Sequence, residues 1–310
     1  MRSILKLKNF LCFFLITFFI SISVACDNNN KAIEKETARG YIWEATNGTN
    51  SVTLVGTMHI GDNKINFLND DIKKIIDETD VLSVELDLSE KETIEKAQSS
   101  GYLKNGETID NYLTESETEK LSSIFKSLSP NLNIDSIKYL NPPSLYSLLT
   151  KLCCAKAGIL GNGLDLLMIN EMKQHNAARD TIVINELEGV DSQIIAGNKT
   201  FTWNYIKEYI NNYSDSNIDK EVDYAINSLN AYKNGDIEFI EESNNKIKSD
   251  NPEVYKIMIT DRNIDMANKI DELIKDDKKH TVAVGAGHFI GDDNILKLLE
   301  EKGYTITRIN

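Results

Sequence analysis

Two histidines stand in the same local sequence pattern near opposite ends of the chain. The sequence is VGTMH at residues 55–59 and VGAGH at residues 284–288, and in both places an apolar, β-rich run leads into Gly-x-x-His. Glycine at the end of a strand lets the backbone turn freely, and it places the histidine at the strand's carboxyl end, where open α/β sheets form clefts. If both strands share one sheet, His59 and His288 supply half of a divalent-metal site.

Two glutamates end apolar strand-like runs and are candidates for the same cleft. Glu85 follows the run at 81–84, and Glu188 follows the run at 182–187. A bare carboxylate there is costly unless a cation or hydrogen-bond donors meet it. Glu85 is therefore a candidate metal ligand or general base, and Glu188 a second catalytic candidate. The structural alternatives stay open: each glutamate can be a core-edge partner of Arg or Lys, and each histidine a turn residue bonded to backbone.

The segments around the two histidines predict two similar strand–helix–strand units. The first takes in the strand before His59, an apolar periodicity over 67–76 and a strand at 81–86. The second takes in the strand before His288, a periodicity over 295–299 and a strand at 304–309. This repetition predicts a pseudo-symmetric, duplicated α/β core in which residues 41–88 and 275–310 share one sheet.

The middle of the chain, about residues 89–270, is predicted to be a large helical insertion. Capping-box spacings occur at Ser89 with Glu92 and at Thr114 with Glu117, and Pro142-Pro143 is a typical helix start. We expect one strand, at 181–187, within this region. Helices are predicted at 164–173, 201–213, 220–233 and 252–274. His280, which follows a charged stretch, is predicted to lie on the surface.

The first 25 residues predict a signal peptide. A short basic region precedes an almost wholly apolar run over 10–25, which ends in Ala25-Cys26 and a polar tract. This ending is typical of bacterial lipoproteins, apart from Ser23, where an aliphatic residue is usual. We expect cleavage before Cys26, lipid on that cysteine and a tether over 26–40, so that the domain at 41–310 is anchored at the cell envelope outside the cytoplasm. An ordinary secretory signal or an uncleaved anchor is the alternative.

Composition and missing motifs exclude several classes of protein. The chain has 34 Lys and Arg against 48 Asp and Glu, a net charge of −14, which argues against nucleic-acid binding. Four cysteines in 310 residues do not make a disulfide scaffold, and Cys153-Cys154 is expected to be buried. The sequence contains no G-x-S-x-G, Walker P-loop, H-E-x-x-H or C-x-x-C motif.

An ordered series of blocks across residues 41–309 resembles the TraB/GumN family, which includes the Tiki-type membrane-tethered metalloproteases. The blocks are YIWEA at 41–45, LVGTMHIG at 54–61, VELD at 84–87, GLD at 163–165, ELE at 186–188 with Gln193, DRN at 261–263 with Met266, VGAGHFIG at 284–291 and GY at 303–304. The resemblance implies an α/β fold akin to erythromycin-esterase-like and haem-binding ChaN-like proteins, with two related halves.

For Tiki-type members, the resemblance implies metal-dependent peptide hydrolysis that uses both GxxH histidines and a glutamate. His59, His288 and Glu85 would then be the metal ligands, with Glu85 as an alternative general base and Arg262 as a stabiliser of the oxyanion. Two imidazoles and a carboxylate favour Zn²⁺, Mn²⁺ or Co²⁺. The expected partner is a peptide or protein substrate. The alternative is a non-catalytic surface lipoprotein that holds a peptide, haem or metal, and the oligomeric state stays open.

Overall fold

The computed structural model describes residues 35–48, 50–179 and 183–310. The predicted signal peptide, the predicted lipidation site Cys26 and most of the predicted tether lie outside the described residues. Among the residues that are described, no helix has the length and apolar character needed to cross a membrane.

The strands of the fold are short, and most of them belong to one central sheet. They are β1 (Glu36–Thr37), β2 (Tyr41–Asn47), β3 (Asn50–Thr57), β4 (Ile60–Gly61), β5 (Ile65–Asn66), β6 (Val81–Val84), β7 (Gly161–Asn162), β8 (Val183–Glu186), β9 (His280–Gly285) and β10 (Thr305–Arg308). Within the described residues the central sheet has six strands in the order β10-β2-β3-β9-β6-β8. Strands β3, β9, β6 and β8 run parallel, so their carboxyl ends lie along one edge.

Helices cover the sheet and form most of the rest of the fold. They are α1 (Asp70–Glu78), α2 (Lys91–Ser100), α3 (Glu115–Leu128), α4 (Ile134–Ile137), α5 (Pro142–Lys156), α6 (Leu164–Arg179), α7 (Val190–Thr200), α8 (Trp203–Asn211), α9 (Asp215–Asn234), α10 (Ile237–Asp250), α11 (Pro252–Tyr255), α12 (Asp261–Leu273) and α13 (Ile295–Glu301). A π-helical segment, Lys256–Thr260, joins α11 to α12. Strands β6 and β9 are buried along their whole length, as expected for parallel strands with helices on both faces.

The two ends of the chain share one sheet, as the sequence predicts. Strand β9 lies between β3 and β6 and runs parallel to both. The second strands of the two units occupy different places, however. Strand β6 lies two positions from β3, whereas β10 lies three positions from β9, on the far side of β2. The fold is mixed α/β with a central mixed sheet, and duplication of its core stays a prediction.

Several local predictions about the middle of the chain are confirmed, and others are wrong. The capping box at Thr114 and the helix start at Pro142 are present, and Cys153 and Cys154 are buried. The capping box at Ser89 is wrong, because the Ser89 N–H and hydroxyl both donate to Asp87 Oδ1 and α2 begins only at Lys91. The strand expected within the insertion joins the central sheet as β8, beside β6.

His280 is not on the surface, contrary to the sequence-based expectation. It is the first residue of β9 and is 5% exposed. Its Nε2 lies 2.7 Å from Asp276 Oδ1, so the preceding charged stretch supplies the partner that lets the imidazole be buried.

Candidate functional site

Three parallel strands bring the predicted site residues to one edge of the sheet. His59 comes two residues after β3, Glu85 directly follows β6, and His288 closes a 3₁₀ turn directly after β9. Because β9 lies between β3 and β6, residues from both ends of the chain meet there. The two histidines therefore lie at the same edge of the sheet, but only His59 lines the cleft beside it, because His288 is fully buried.

Both imidazoles converge on a single oxygen atom of Glu85. His59 Nε2 and His288 Nε2 each lie 3.9 Å from Glu85 Oε1. The His288 side chain is fully buried and the His59 side chain is 12% exposed, so His59 is the member of the pair nearer to solvent.

A second residue orients each histidine through its Nδ1 atom. His59 Nδ1 lies 3.2 Å from Asp165 Oδ2, and His288 Nδ1 lies 2.6 Å from Asn263 Oδ1. These oxygens accept hydrogen bonds, so the Nδ1 atoms donate. The neutral ring of His288 then presents its Nε2 lone pair towards Glu85, and His59 does the same once it loses its proton. Metal-ligating histidines typically have such partners. His288 Nε2 is buried and has no hydrogen-bond partner among the described residues.

Asp165 reaches His59 because a glycine allows two backbone segments to touch. The Leu164 N–H donates to the Met58 carbonyl oxygen at 2.9 Å. A Cβ on Gly163 would lie 2.1 Å from that same oxygen, so no other residue fits without a backbone shift. The start of α6 is therefore held against the loop that carries His59.

Backbone and side-chain donors fix the carboxylate of Glu85. The Gly285 N–H, at the end of β9, donates to Oε1 at 2.7 Å. Arg262 Nη2 donates to Oε2 at 2.7 Å, and Gln193 Nε2 donates to the same oxygen at 3.3 Å. Burial raises the pKa of Glu85, but Arg262 and the two histidines outweigh it and lower the pKa to about 2, so the group is a carboxylate at neutral pH.

The guanidinium of Arg262 is held between two buried carboxylates. Its Nε donates to Glu188 Oε1 at 2.7 Å, and its Nη2 donates to Glu188 Oε2 at 2.5 Å as well as to Glu85. Nη1 donates to the Met258 carbonyl oxygen at 3.2 Å. Four of the five guanidinium N–H groups thus donate to protein acceptors, which favours a positioning role for Arg262 over the predicted oxyanion-stabilising role. Glu188 is its bidentate counter-ion.

Helix α12 presents neighbouring residues to two different parts of the site. Arg262 contacts the two glutamates, and Asn263 contacts His288. The Asn263 amide nitrogen donates to the Asp293 carbonyl oxygen at 2.6 Å, which leaves the amide oxygen for the imidazole. The π-helical segment directly before α12 is a type of irregularity that is frequent at functional sites.

The two histidines differ in charge. Burial lowers the pKa of His288 to about 4, with Arg262 acting in the same direction. Burial also lowers the pKa of His59, but Asp165 and Glu85 outweigh it and raise the pKa to about 9. At neutral pH, without a bound ion, His288 is neutral and His59 is the cationic member of the pair.

A cleft opens beside this cluster and is lined by both polar and apolar side chains. It encloses about 570 Å³ when its open mouth is counted. The polar part of its lining is Thr57, His59, Glu85, Asp165 and Gln193. The remaining lining is apolar and comes from β6 and the loop after it, from β9, from α2 and from α7.

The donor types at this edge suit a divalent ion. Two oriented imidazoles face one carboxylate oxygen, and the buried Nε2 of His288 lacks a partner. In the part of the chain that the structure describes, no group of three or more His, Cys, Asp or Glu residues is already arranged to hold an ion. The chemistry of the residues therefore fits a metal, although they do not form a closed cluster.

Sequence reasoning assigned no role to three residues that complete the site. Asp165, Gln193 and Asn263 were named only as parts of the family resemblance. Each lies on a helix, and its place in the site depends on how that helix packs against the sheet. The Gly-x-Asp pattern at 163–165 and the position of Asn263 beside Arg262 were the available signals.

Comparison with known proteins gives a family and one distant relative. A model of the TraB/PrgY/gumN family matches residues 41–308. A curated protein described as a metalloprotease TIKI homolog, from Amphimedon queenslandica, is 21% identical over 343 residues. The match covers 93% of this chain, and the chain spans 64% of that relative's length. No solved structure is a significant match.

Proposed function

The chain belongs to the TraB/PrgY/gumN family, and on that premise we propose that it is a metal-dependent hydrolase that cleaves peptide bonds. The distant relationship to a metalloprotease TIKI homolog supports a hydrolase. The observation that carries the proposal is the convergence of His59 Nε2 and His288 Nε2 on Glu85 Oε1, with no partner for the buried His288 nitrogen among the described residues.

His59, His288 and Glu85 would hold the ion. The two imidazoles would bind through Nε2, and Glu85 through Oε1, which keeps a lone pair beyond the one that accepts from Gly285. This donor set favours Zn²⁺, Mn²⁺ or Co²⁺. When bound, such an ion polarises a carbonyl group and lowers the pKa of water.

The other residues of the site position these three. Asp165 and Asn263 orient the imidazoles, while Arg262 and Gln193 hold the Glu85 carboxylate in place. Glu188 balances the charge of Arg262, so the buried cation does not need to turn towards the cleft. In the reaction, water adds across the peptide C–N bond: its hydroxyl goes to the acyl carbon, and a proton goes to the leaving nitrogen.

We also propose that the protein works at the cell envelope. Lipid on Cys26 would anchor the domain outside the cytoplasm, and a peptide or protein at the membrane surface would be its substrate. The sequence of residues 1–26 supports this location, because a basic region, an apolar run and Ala25-Cys26 follow one another as in lipoproteins.

Metal stoichiometry and cleavage of a peptide library, measured on the same variants, test the proposal. His59→Ala and His288→Ala should each abolish stoichiometric Zn²⁺, Mn²⁺ or Co²⁺ and all cleavage, while circular dichroism shows a preserved fold. His175→Ala is the matched control, because His175 pairs with Asp77 and Glu171 outside the site. Full metal retention in both site variants would refute the metal-dependent mechanism.

A second candidate function is a non-catalytic surface protein that holds a peptide, haem or metal. The observation in its favour is that both oxygens of Glu85 already accept hydrogen bonds within the protein. Stoichiometric metal or tight peptide binding with no cleavage of any library member would select this candidate.

A further inference from the structure

Apolar side chains from neighbouring elements form part of the lining of the cleft beside Glu85. Helix α2 and helix α7 pack against each other on this side of the sheet. The wall consists of Leu86, Leu88, Ala97, Val190 and Ile194. No charged side chain lies among these residues, although charged residues such as Lys96 and Glu92 line a separate groove nearby.

Two polar residues that line the same cleft have buried atoms that lack partners among the described residues. Thr57 Oγ1 and Asp165 Oδ1 have no hydrogen bond to any described residue, and the two residues are 1% and 7% exposed. The carboxylate oxygen of Asp165 can only accept, while the hydroxyl of Thr57 can donate or accept. Because buried polar atoms are normally paired, these two are suited to a ligand that brings N–H donors.

A ligand that suits both the apolar lining and the unpartnered polar atoms combines an apolar group with a nearby N–H donor. An amino-acid residue within a peptide has this combination, whereas a hydrocarbon chain lacks the donor and a sugar lacks the apolar group.

Resting on the proposed function, we infer that this cleft selects an apolar residue of the substrate next to the bond that is cleaved. The side chain packs against Leu88, Ala97 and Ile194. The backbone N–H groups of the substrate donate to Asp165 Oδ1 and Thr57 Oγ1. Peptides with Leu, Val or Phe at this position should therefore be cleaved faster than those with Gly, Asp or Lys.

The test uses peptides that differ only at this residue, together with two variants of the wall. Ala97→Leu fills the pocket and should lower kcat/KM for the Leu and Phe peptides at least about tenfold relative to the Gly peptide. Ile194→Ala enlarges the pocket and should shift the preference towards Phe. Ile195→Ala is the matched control, because the next residue of the same helix is 53% exposed and does not line the cleft.

A binding measurement keeps the inference separate from the proposed function. Ligand-observed NMR with N-acetyl-leucinamide and N-acetyl-glycinamide should show preferential binding of the leucine compound to the wild type. Ala97→Leu should remove that preference, and methylation of the probe's backbone nitrogen should weaken binding because it removes the N–H donor. This result would support the pocket even if no peptide is cleaved.

Two outcomes would refute the inference that this cleft selects an apolar residue. One is equal binding of the leucine and glycine probes to the wild type. The other is a wild-type peptide preference that survives unchanged in both Ala97→Leu and Ile194→Ala. Metal stoichiometry of the histidine variants decides the hydrolase proposal independently of either result.

Discussion

Arg262→Met removes the cation that lies between Glu85 and Glu188. The guanidinium donates four hydrogen bonds, three of them to carboxylates, and its side chain is only 8% exposed. Loss of one partner from a buried ion pair costs about 3–5 kcal/mol of unfolding free energy, because a charge is left uncompensated. Here two carboxylates lose their partner, so we expect a loss at or above the upper end of that range.

Two milder substitutions at the same cluster separate charge from geometry. Arg262→Lys keeps the positive charge but loses the planar fork, so we expect a loss of about 1–3 kcal/mol. Glu188→Gln leaves Arg262 paired with Glu85 and should cost a similar amount. Urea unfolding of the metal-free protein at neutral pH measures the unfolding free energy of all three variants, Arg262→Met, Arg262→Lys and Glu188→Gln. Lys96→Met is the control, because its ion pair with Asp191 is exposed and should contribute about 1 kcal/mol or less.

The same variants distinguish the two roles considered for Arg262. If the residue positions Glu85, Arg262→Lys should weaken metal binding by about 10–100-fold, and turnover should fall with metal occupancy. If it stabilises the oxyanion, metal binding should persist while kcat falls by about 10²–10³-fold. An Arg262→Met variant that is destabilised no more than Lys96→Met would refute the buried ion network itself.

Three further predictions concern other parts of the molecule. Burial raises the pKa of Glu221 to about 7, beside the Tyr209 hydroxyl and the Cys153 thiol. The folded state therefore holds the Glu221 proton more tightly than the unfolded state. The stabilisation that this proton gives the fold is fully present below about pH 4.5 and is lost as pH rises through 7. Glu221→Gln should stabilise the protein by up to about 3 kcal/mol at pH 8 and little at pH 4 in urea unfolding, with Asp219→Asn on the same helix as control; equal effects at both pH values would contradict this. Gly163→Ala should lower the unfolding free energy by more than about 2 kcal/mol, because its Cβ would lie 2.1 Å from the Met58 carbonyl oxygen, and a wild-type melting temperature would contradict that contact. Intact mass of membrane-extracted protein should show a mature form that begins at lipidated Cys26, and an unmodified Cys26 or a different first residue would contradict the anchor.

The sequence was sufficient to predict that the candidate site lies at one edge of the sheet and to name three residues there. Apolar strands that end in Gly-x-x-His mark His59 and His288, and a carboxylate directly after an apolar strand marks Glu85. These signals are local, since each depends on a strand and the residues that follow it. That His59, His288 and Glu85 lie close together could be predicted only by assuming that the two units share one sheet.

The remaining features depend on tertiary packing, which no local pattern records. Asp165 and Asn263 face the histidines because α6 and α12 dock at this edge. Strand β8 joins the sheet by pairing in parallel with β6, and the buried His280 has Asp276 as its partner. The Ser89 capping box fails for a related reason, since Asp87 accepts from Ser89 before α2 begins.

The place of β9 in the sheet determines how the site is assembled. If β3 and β6 were neighbours, as consecutive strands often are, no strand end would lie between His59 and Glu85. Because β9 separates them, the Gly285 N–H donates to Glu85 Oε1, and His288 approaches the same oxygen from the other end of the chain. One strand thus supplies both a donor that fixes the carboxylate and a histidine that faces it. The site therefore exists only after the two chain ends have paired, and substitutions that weaken the pairing of β9 with β3 or β6 should impair the site even when they contact none of its side chains.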